Sequence, residues 1–222
     1  MDEKIQEKLW QLAFRKPYDS EFFIPVVKGK KINFTEIFPP FLEKFTLELG
    51  SGWGEVAIEL ATQNPKTGYI LMEKKISRIK TTLKQIHQRK IQNIRIIPAD
   101  FSHFLADIFI PNQLNEIILN FPDPWPKKKH RKNRTLNQNF PNILNYLLQN
   151  QGVFHFASDY GPYARAAIRI FRNDSRFSFK DKFSLSRVNF PPSRFEMERK
   201  TVVPRLYYLK RTLTNGDKII GI

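Results

Sequence analysis

From Phe45 onward, short apolar runs alternate with amphipathic segments, and this rhythm leaves the chain few folds to choose from. The runs at 45–49, 69–73, 94–98, 115–121 and 152–158 have the length and side-chain types of buried strands. Between them, 54–63, 75–89, 135–149 and 160–173 space their apolar residues as helices do. Strands separated by helices run parallel to their neighbours, and the helices cover both faces of the sheet. After about residue 177 the alternation stops. Residues 178–186 alternate Phe with polar residues, and 201–209 are rich in strand formers, so two late strands are expected, joined by the loop Phe190–Glu196. The expected fold is α/β: a doubly wound, mostly parallel, seven-stranded sheet with helices on both faces. Ahead of it, 4–14 reads as a short amphipathic helix with Ile5, Leu9, Leu12 and Ala13 on one face, and 15–41 as an irregular lead-in. There Asn33-Phe34-Thr35-Glu36 is expected to cap a short helix that Pro39-Pro40 ends. The predicted division is an N-terminal extension over 1–44 and one α/β domain over 45–222.

Charge narrows the partners. The 222 residues carry a net charge of +16, a surface that attracts polyanions. An anionic membrane fits less well than nucleic acid, because no apolar run approaches the roughly 18 residues needed to span a bilayer. The chain has no cysteine, which excludes disulfides and thiolate metal sites. His87, His103, His130 and His155 show no metal-ligand spacing, so no metal is expected. The start Met-Asp-Glu-Lys lacks the apolar core of a signal peptide, and a cytoplasmic location is expected.

Two stretches carry chemistry. Leu47-Glu48-Leu49-Gly50-Ser51-Gly52-Trp53-Gly54 follows a strand and opens a helix. Its spacing is G-x-G-x-G, and Glu55 stands where a dinucleotide fingerprint wants Gly or Ala. With Glu48 just upstream, the turn is too acidic for a pyrophosphate and suits a cationic cofactor such as S-adenosylmethionine. A purely structural tight turn is the alternative. Glu73 ends the second strand, where a carboxylate meets ribose hydroxyls in doubly wound folds. Asp100 follows the third strand, placed to accept from an adenine amino group. Either acid alone also reads as a helix cap.

The second stretch is Asn120–Arg134, NFPDPWPKKKHRKNR. Asp123 follows the fourth strand, at the carboxyl edge where such sheets bind ligands. Pro122, Pro124 and Pro126 fix φ and stiffen the loop around it. Trp125 either packs beneath a base or anchors the loop. The run Lys127-Lys128-Lys129-His130-Arg131-Lys132-Asn133-Arg134 reads as phosphate-binding, with a solvated charge run or a localisation signal as the bland alternatives.

These residues resemble the bacterial tRNA (guanine-N7)-methyltransferase family, a Rossmann-like class I S-adenosylmethionine-dependent fold. The hallmark Phe-x-Asp-Pro-Trp-Pro stands here as Phe121-Pro122-Asp123-Pro124-Trp125-Pro126, followed by the basic run. The resemblance runs from about Phe45 to Val203. It implies methyl transfer from S-adenosylmethionine to N7 of a tRNA guanosine, at position 46 of the variable loop. It implies cofactor contacts by Glu48, Glu73, Asp100 and Asp123, around the turn of Gly50, Gly52 and Gly54. It implies tRNA contacts by Lys127, by Asp159 and by Ser193, Arg194, Phe195 and Glu196, with Lys128, Lys129, His130, Arg131 and Lys132 joining Lys127. The family usually has Thr where Ser193 stands. Members are monomers or homodimers.

The chemistry agrees. Guanine N7 has a lone pair and no proton, so attack on a sulfonium methyl needs no obligatory base. Asp123 is then the catalytic residue as a charge stabiliser and base-orienter. Amine methylation of nucleic acid is the alternative enzyme, although its D/N-P-P-Y/F motif differs from Asp-Pro-Trp-Pro. A non-catalytic RNA-binding module on the same fold is the alternative outside enzymes.

Overall fold

The computed structural model describes residues 3–14, 20–102, 104–172, 174–178, 183–184, 186–187, 190–200 and 205–214. The chain divides into two compact units, 1–110 and 111–222.

The first unit opens with α1 (Glu3–Ala13). It continues through β1 (Lys44–Leu49), α2 (Glu55–Gln63), β2 (Thr67–Met72), α3 (Ile76–Arg89), β3 (Ile94–Ile97) and α4 (Leu105–Ile108). β2 lies between β1 and β3, all parallel. Side chains alternate across a strand, so Tyr69 and Leu71 of β2 face one way. They pack there with Ala57, Ile58 and Ala61 of α2 and with Ile79, Leu83 and Ile86 of α3. An aromatic cluster packs on Phe45 of β1: Phe34 lies 5.2 Å from it and 5.6 Å from Phe109.

The expected irregular lead-in is more ordered than its lack of periodicity suggests. Ile96 N–H donates to the Phe22 carbonyl at 2.7 Å, and Ile24 N–H donates to the Ile96 carbonyl at 2.9 Å. Residues 22–24 thus satisfy backbone groups along β3. Phe14 bridges Ala99, and Ile32 bridges Phe109. The expected cap is present, with the Asn33 carboxamide oxygen accepting from Thr35 N–H at 3.2 Å ahead of a 3₁₀ turn at Phe34–Glu36.

The second unit runs β4 (Leu114–Asn120), a 3₁₀ turn (Lys128–Asn133), α5 (Phe140–Leu147), β5 (Leu148–Ser158), α6 (Gly161–Arg172), α7 (Arg194–Lys200) and β6 (Tyr207–Thr212). β5 lies parallel to β4 and antiparallel to β6. Phe140, Phe154, Phe171 and Phe177 form a chain of ring contacts through its core, 5.2 to 5.9 Å apart.

The α/β class and mostly parallel pairing are as expected, but the described sheet has six strands, not seven. The strand expected at 178–186 falls partly outside the described residues. Its described ends touch the outer edge of β6, through a bridge between Ser184 and Tyr208 and a hydrogen bond from Ser178 N–H to the Thr212 carbonyl. The last strand lies at 207–212 and not at 201–209; residues 201–204 are outside the described set. The helix expected at 135–149 is confined to 140–147. An Asx turn, Asn139 N–H to the Asn137 side chain, occupies the preceding residues, and Pro141 suits only the first helical turn. The loop expected through Glu196 instead becomes α7 at Arg194.

Phe34 is fully buried in the first unit, whereas Phe41 is 62% exposed. Phe34→Ala is expected to cost about 3–5 kcal/mol in urea denaturation, and Phe41→Ala no more than about 0.5 kcal/mol. Equal costs would mean that the lead-in is not part of the core.

Candidate active site

In the first unit, three acids stand at the carboxyl ends of adjacent parallel strands. Glu48 is in β1, Glu73 directly follows β2, and Asp100 comes three residues after β3. Glu48 and Glu73 are buried. Gly50, Gly52 and Gly54 all have positive φ, at 72°, 62° and 78°. The turn is tied to the end of β2, because Gly50 and Ser51 N–H both donate to the Met72 carbonyl. Glu73 adds a side-chain tie. Its carboxylate accepts from Gly52 N–H at 3.0 Å and from Lys75 N–H at 2.8 Å, with Arg78 Nη1 at 3.6 Å. Arg78 also lies 4.5 Å over the Trp53 ring.

Asp100 is half-buried. It accepts from Ser102 N–H and Oγ–H and pairs with Lys74 at 2.9 Å. Burial pulls its carboxyl upward, but the bonds from Ser102 and Lys74 outweigh this and hold it below the usual carboxylate range. Its own N–H donates to the Ala13 carbonyl at the end of α1, 2.9 Å away.

In the second unit, Asp123 is exposed on the loop that leaves β4. The loop is bent at two points where non-glycine residues have left-handed backbone, Phe121 with φ 47° and Trp125 with φ 41°. Each costs about 1–3 kcal/mol and persists only where surroundings hold it. Arg134 supplies one hold. Its Nε donates to the Pro124 carbonyl at 2.8 Å and its Nη2 to the Trp125 carbonyl at 3.4 Å. The guanidinium lies 4.6 Å over the Tyr163 ring of α6, and the Tyr163 hydroxyl accepts from Leu136 N–H at 3.0 Å. Burial pushes that phenol up to about 12, so it stays protonated. Arg134 is only 8% exposed, so unlike the rest of the basic run it faces the protein.

The other cations are displayed. Lys127, Lys128, Lys129, Arg131 and Lys132 are exposed, and none makes an ion pair among the described residues. In the 3₁₀ turn, residues three apart eclipse, which stacks Lys128 on Arg131 and Lys129 on Lys132 in two ridges. Trp125 stacks on His130, with centroids 5.8 Å apart and planes at 22°. Trp125 therefore anchors the loop to the basic turn.

The late segment packs beside this loop. Phe195 lies 5.0 Å from Phe121, Arg199 lies 4.9 Å over Phe195, and Arg199 Nε reaches Asp159 at 3.5 Å. Arg194 is exposed and pairs with Glu198. Ser193 Oγ accepts from Glu196 N–H at 3.1 Å and so caps α7. The Ser193-x-x-Glu196 spacing of a capping box was a visible signal for this helix start. The Glu196 carboxylate, however, is turned to Arg187 and to Tyr208, whose hydroxyl donates to it at 2.6 Å. Arg134 was expected to bind phosphate with the rest of the run but is buried on the Pro124 and Trp125 carbonyls, and Tyr163, Arg187 and Arg199 were not expected at the site. Nothing in local spacing separates a clamping arginine from a solvated one.

Among the described residues, no group of three or more His, Asp or Glu is placed to hold a metal, and no helix is long and apolar enough to cross a membrane.

Residues 43–201 match a family model described as "Putative methyltransferase". Over 214 residues the chain is 44% identical to the tRNA (guanine-N(7)-)-methyltransferase of Leptospira interrogans serovar Lai, covering 96% of this chain and 99% of that one. It is 34% identical to the enzyme of the same name from Francisella tularensis subsp. novicida, over 72% of this chain and 69% of that one. Among solved structures it is similar to the 16S rRNA methyltransferase KamB, with a TM-score of 0.55 at 13% identity over 86% of this chain and 99% of that one. It is also similar to a SAM-dependent O-methyltransferase from Thermotoga maritima, with a TM-score of 0.52 at 14% identity over 79% and 62%. At these identities the structural likenesses establish the class I methyltransferase fold alone.

A Cβ on Gly54 would meet Thr82 Cγ2 at 2.5 Å, whereas one on Gly52 would meet nothing within 4 Å. Both substitutions to Ala incur left-handed backbone strain of about 1–2 kcal/mol. Gly54→Ala is expected to cost a further ~1–3 kcal/mol from overpacking. Equal losses in urea denaturation would show that the turn yields at Thr82.

Proposed function

Because the chain belongs to the tRNA (guanine-N(7)-)-methyltransferase family, we propose that it methylates N7 of a guanosine in tRNA, at position 46 of the variable loop, using S-adenosylmethionine. What carries this reading is the loop after β4. It places one exposed carboxylate on a clamped backbone and follows it in sequence with five exposed cations that make no ion pair among the described residues.

The first unit suits the cofactor. The left-handed glycine turn leaves open space over Gly52. Its acids lie at the strand ends where doubly wound sheets take ribose and base. Each Glu73 oxygen accepts one backbone N–H and retains a lone pair, so ribose hydroxyls can donate to it. Asp100 is assigned to the adenine amino group and Glu48 to the cationic part of the ligand. When bound, S-adenosylmethionine supplies the sulfonium methyl.

The second unit supplies the rest. The guanine N7 lone pair forms the new bond to carbon as the carbon–sulfur bond breaks, and the ring becomes cationic. Asp123 stabilises that charge and accepts from the N1/N2 edge of the base, which orients it. No proton leaves N7, so the step needs no general base. Lys127, Lys128, Lys129, Arg131 and Lys132 bind phosphates. That binding offsets the few kcal/mol needed to free a stacked or tertiary-paired base. Asp159 and the segment Ser193, Arg194, Phe195 and Glu196 complete the tRNA contacts, Glu196 through its backbone because its carboxylate is held by Arg187 and Tyr208.

Nucleoside analysis of tRNA incubated with the protein and labelled S-adenosylmethionine is expected to yield 7-methylguanosine. Recovery of 6-methyladenosine, or of no methylated nucleoside, would overturn the reading. Replacing Lys127, Lys128 and Arg131 with Ala is expected to reduce the slope of log K against log salt by about 2–3, at roughly 0.7–0.9 per phosphate contact. An unchanged slope would leave the run as a solvated face.

A further inference from the structure

The Asp123 loop has two left-handed residues, and Arg134 accounts for only one of them. Phe121, the other, follows directly on Asn120, the last residue of β4. The Asn120 side chain is held from elsewhere in the unit, because Arg187 Nη1 donates to its Oδ1 at 2.8 Å. The second nitrogen of the same guanidinium, Nη2, donates to Glu196 of α7. The group lies 4.0 Å from the centre of the Phe190 ring and 4.8 Å from that of the Tyr208 ring. Tyr208 closes the arrangement by donating to the other Glu196 oxygen. The Arg187 and Glu196 side chains are only 9% and 6% exposed.

We propose that Arg187 is a positioning residue for methyl transfer: it pins the end of β4 to α7 and so fixes the angle at which the Asp123 loop leaves the sheet. This rests on the reading of Asp123 given above.

A buried ion pair is a poor source of net stability, because desolvation consumes much of its attraction. What this pair does supply is direction. A planar fork reaches two partners in fixed geometry, which a lysine cannot do. One arm holds the residue before the first strained position, and the other holds the helix whose Phe195 packs on Phe121. With both arms in place Phe121 cannot relax to extended backbone. Without them Phe121 keeps its N–H bond to the Ala157 carbonyl at 2.9 Å and its packing on Tyr208, but the residue before it and the helix beside it are no longer tied together, and Asp123, two residues on, shifts with them. A shift of about 1 Å in a reacting group costs on the order of 100-fold in rate. Glu196 thus acts through its backbone and through Arg187, its carboxylate being committed inside the protein.

The test is single-turnover methylation at saturating tRNA and S-adenosylmethionine with Arg187→Met, Arg187→Lys, Asn120→Ala and the double variant Asn120→Ala/Arg187→Met. Arg187→Met is expected to lose at least tenfold in rate at saturation while its calorimetric affinity for S-adenosylmethionine stays within twofold. Arg187→Lys is expected to fall between it and the wild type. The double variant is expected to be no slower than Arg187→Met, because both changes cut the same tie. A wild-type rate for folded Arg187→Met, a loss confined to KM for tRNA, or additive losses in the double variant would each overturn the proposal. If Arg187→Met does not fold, Asn120→Ala and Arg187→Lys decide it, a wild-type rate in both being the contrary result. Failure of the wild-type enzyme to form 7-methylguanosine would instead overturn the assigned reaction.

Discussion

Two backbone angles, φ of 47° at Phe121 and 41° at Trp125, set where Asp123 sits. Neither residue favours the left-handed region, and a loop free in solvent would leave it. The loop stays bent because Arg134 binds the carbonyls at Pro124 and Trp125, while Arg187 holds the side chain of Asn120. The prolines at 122, 124 and 126 reduce the alternatives further. Stiffness here suits the proposed role of Asp123, since a charge stabiliser is effective only when its position is set before charge develops.

This arrangement sets two kinds of cation side by side around one loop. Arg134 and Arg187 are buried, forked and spent on backbone or side-chain oxygens. Lys127, Lys128, Lys129, Arg131 and Lys132 are exposed and unpaired among the described residues, held close together by a 3₁₀ turn. Like charges at such spacing repel, and a polyanion relieves the repulsion. The stack of Trp125 on His130 joins the two kinds, because it fastens the exposed basic turn to the clamped loop. The first unit uses the same economy. Glu73 ties the glycine turn to the end of β2 and to the start of α3 through single backbone bonds to its two oxygens.

Much of this was legible from the residues. Apolar period and length located β1 to β5 within a few residues, because buried parallel strands are nearly continuous apolar runs. The G-x-G-x-G turn, the strand-end acids and the Asp-Pro-Trp-Pro segment were visible because each lies within a short stretch. What was not legible depended on distance along the chain. Residues 22–24 have no strand period of their own, and Phe22 and Ile24 pair with Ile96 of β3, far along the chain. Arg134 looks like its neighbours in the run until Tyr163 and the Pro124 carbonyl are placed around it. Arg187 sits in a stretch without periodicity, 67 residues from the asparagine it holds. The start of α7 was within reach, since Ser193 and Glu196 have capping spacing, but the two prolines before it read as a loop.

The proposed role of Asp123 rests on its negative charge, and not merely on its ability to accept a hydrogen bond. Single-turnover methylation of tRNA by Asp123→Asn separates the two, since the amide keeps an acceptor oxygen and loses the charge. The rate is expected to fall about 100-fold or more, the scale of losing one oriented electrostatic partner, with affinities for tRNA and S-adenosylmethionine within about threefold of wild type. A rate within about threefold of wild type would show that charge at this position is dispensable, and would contradict the account.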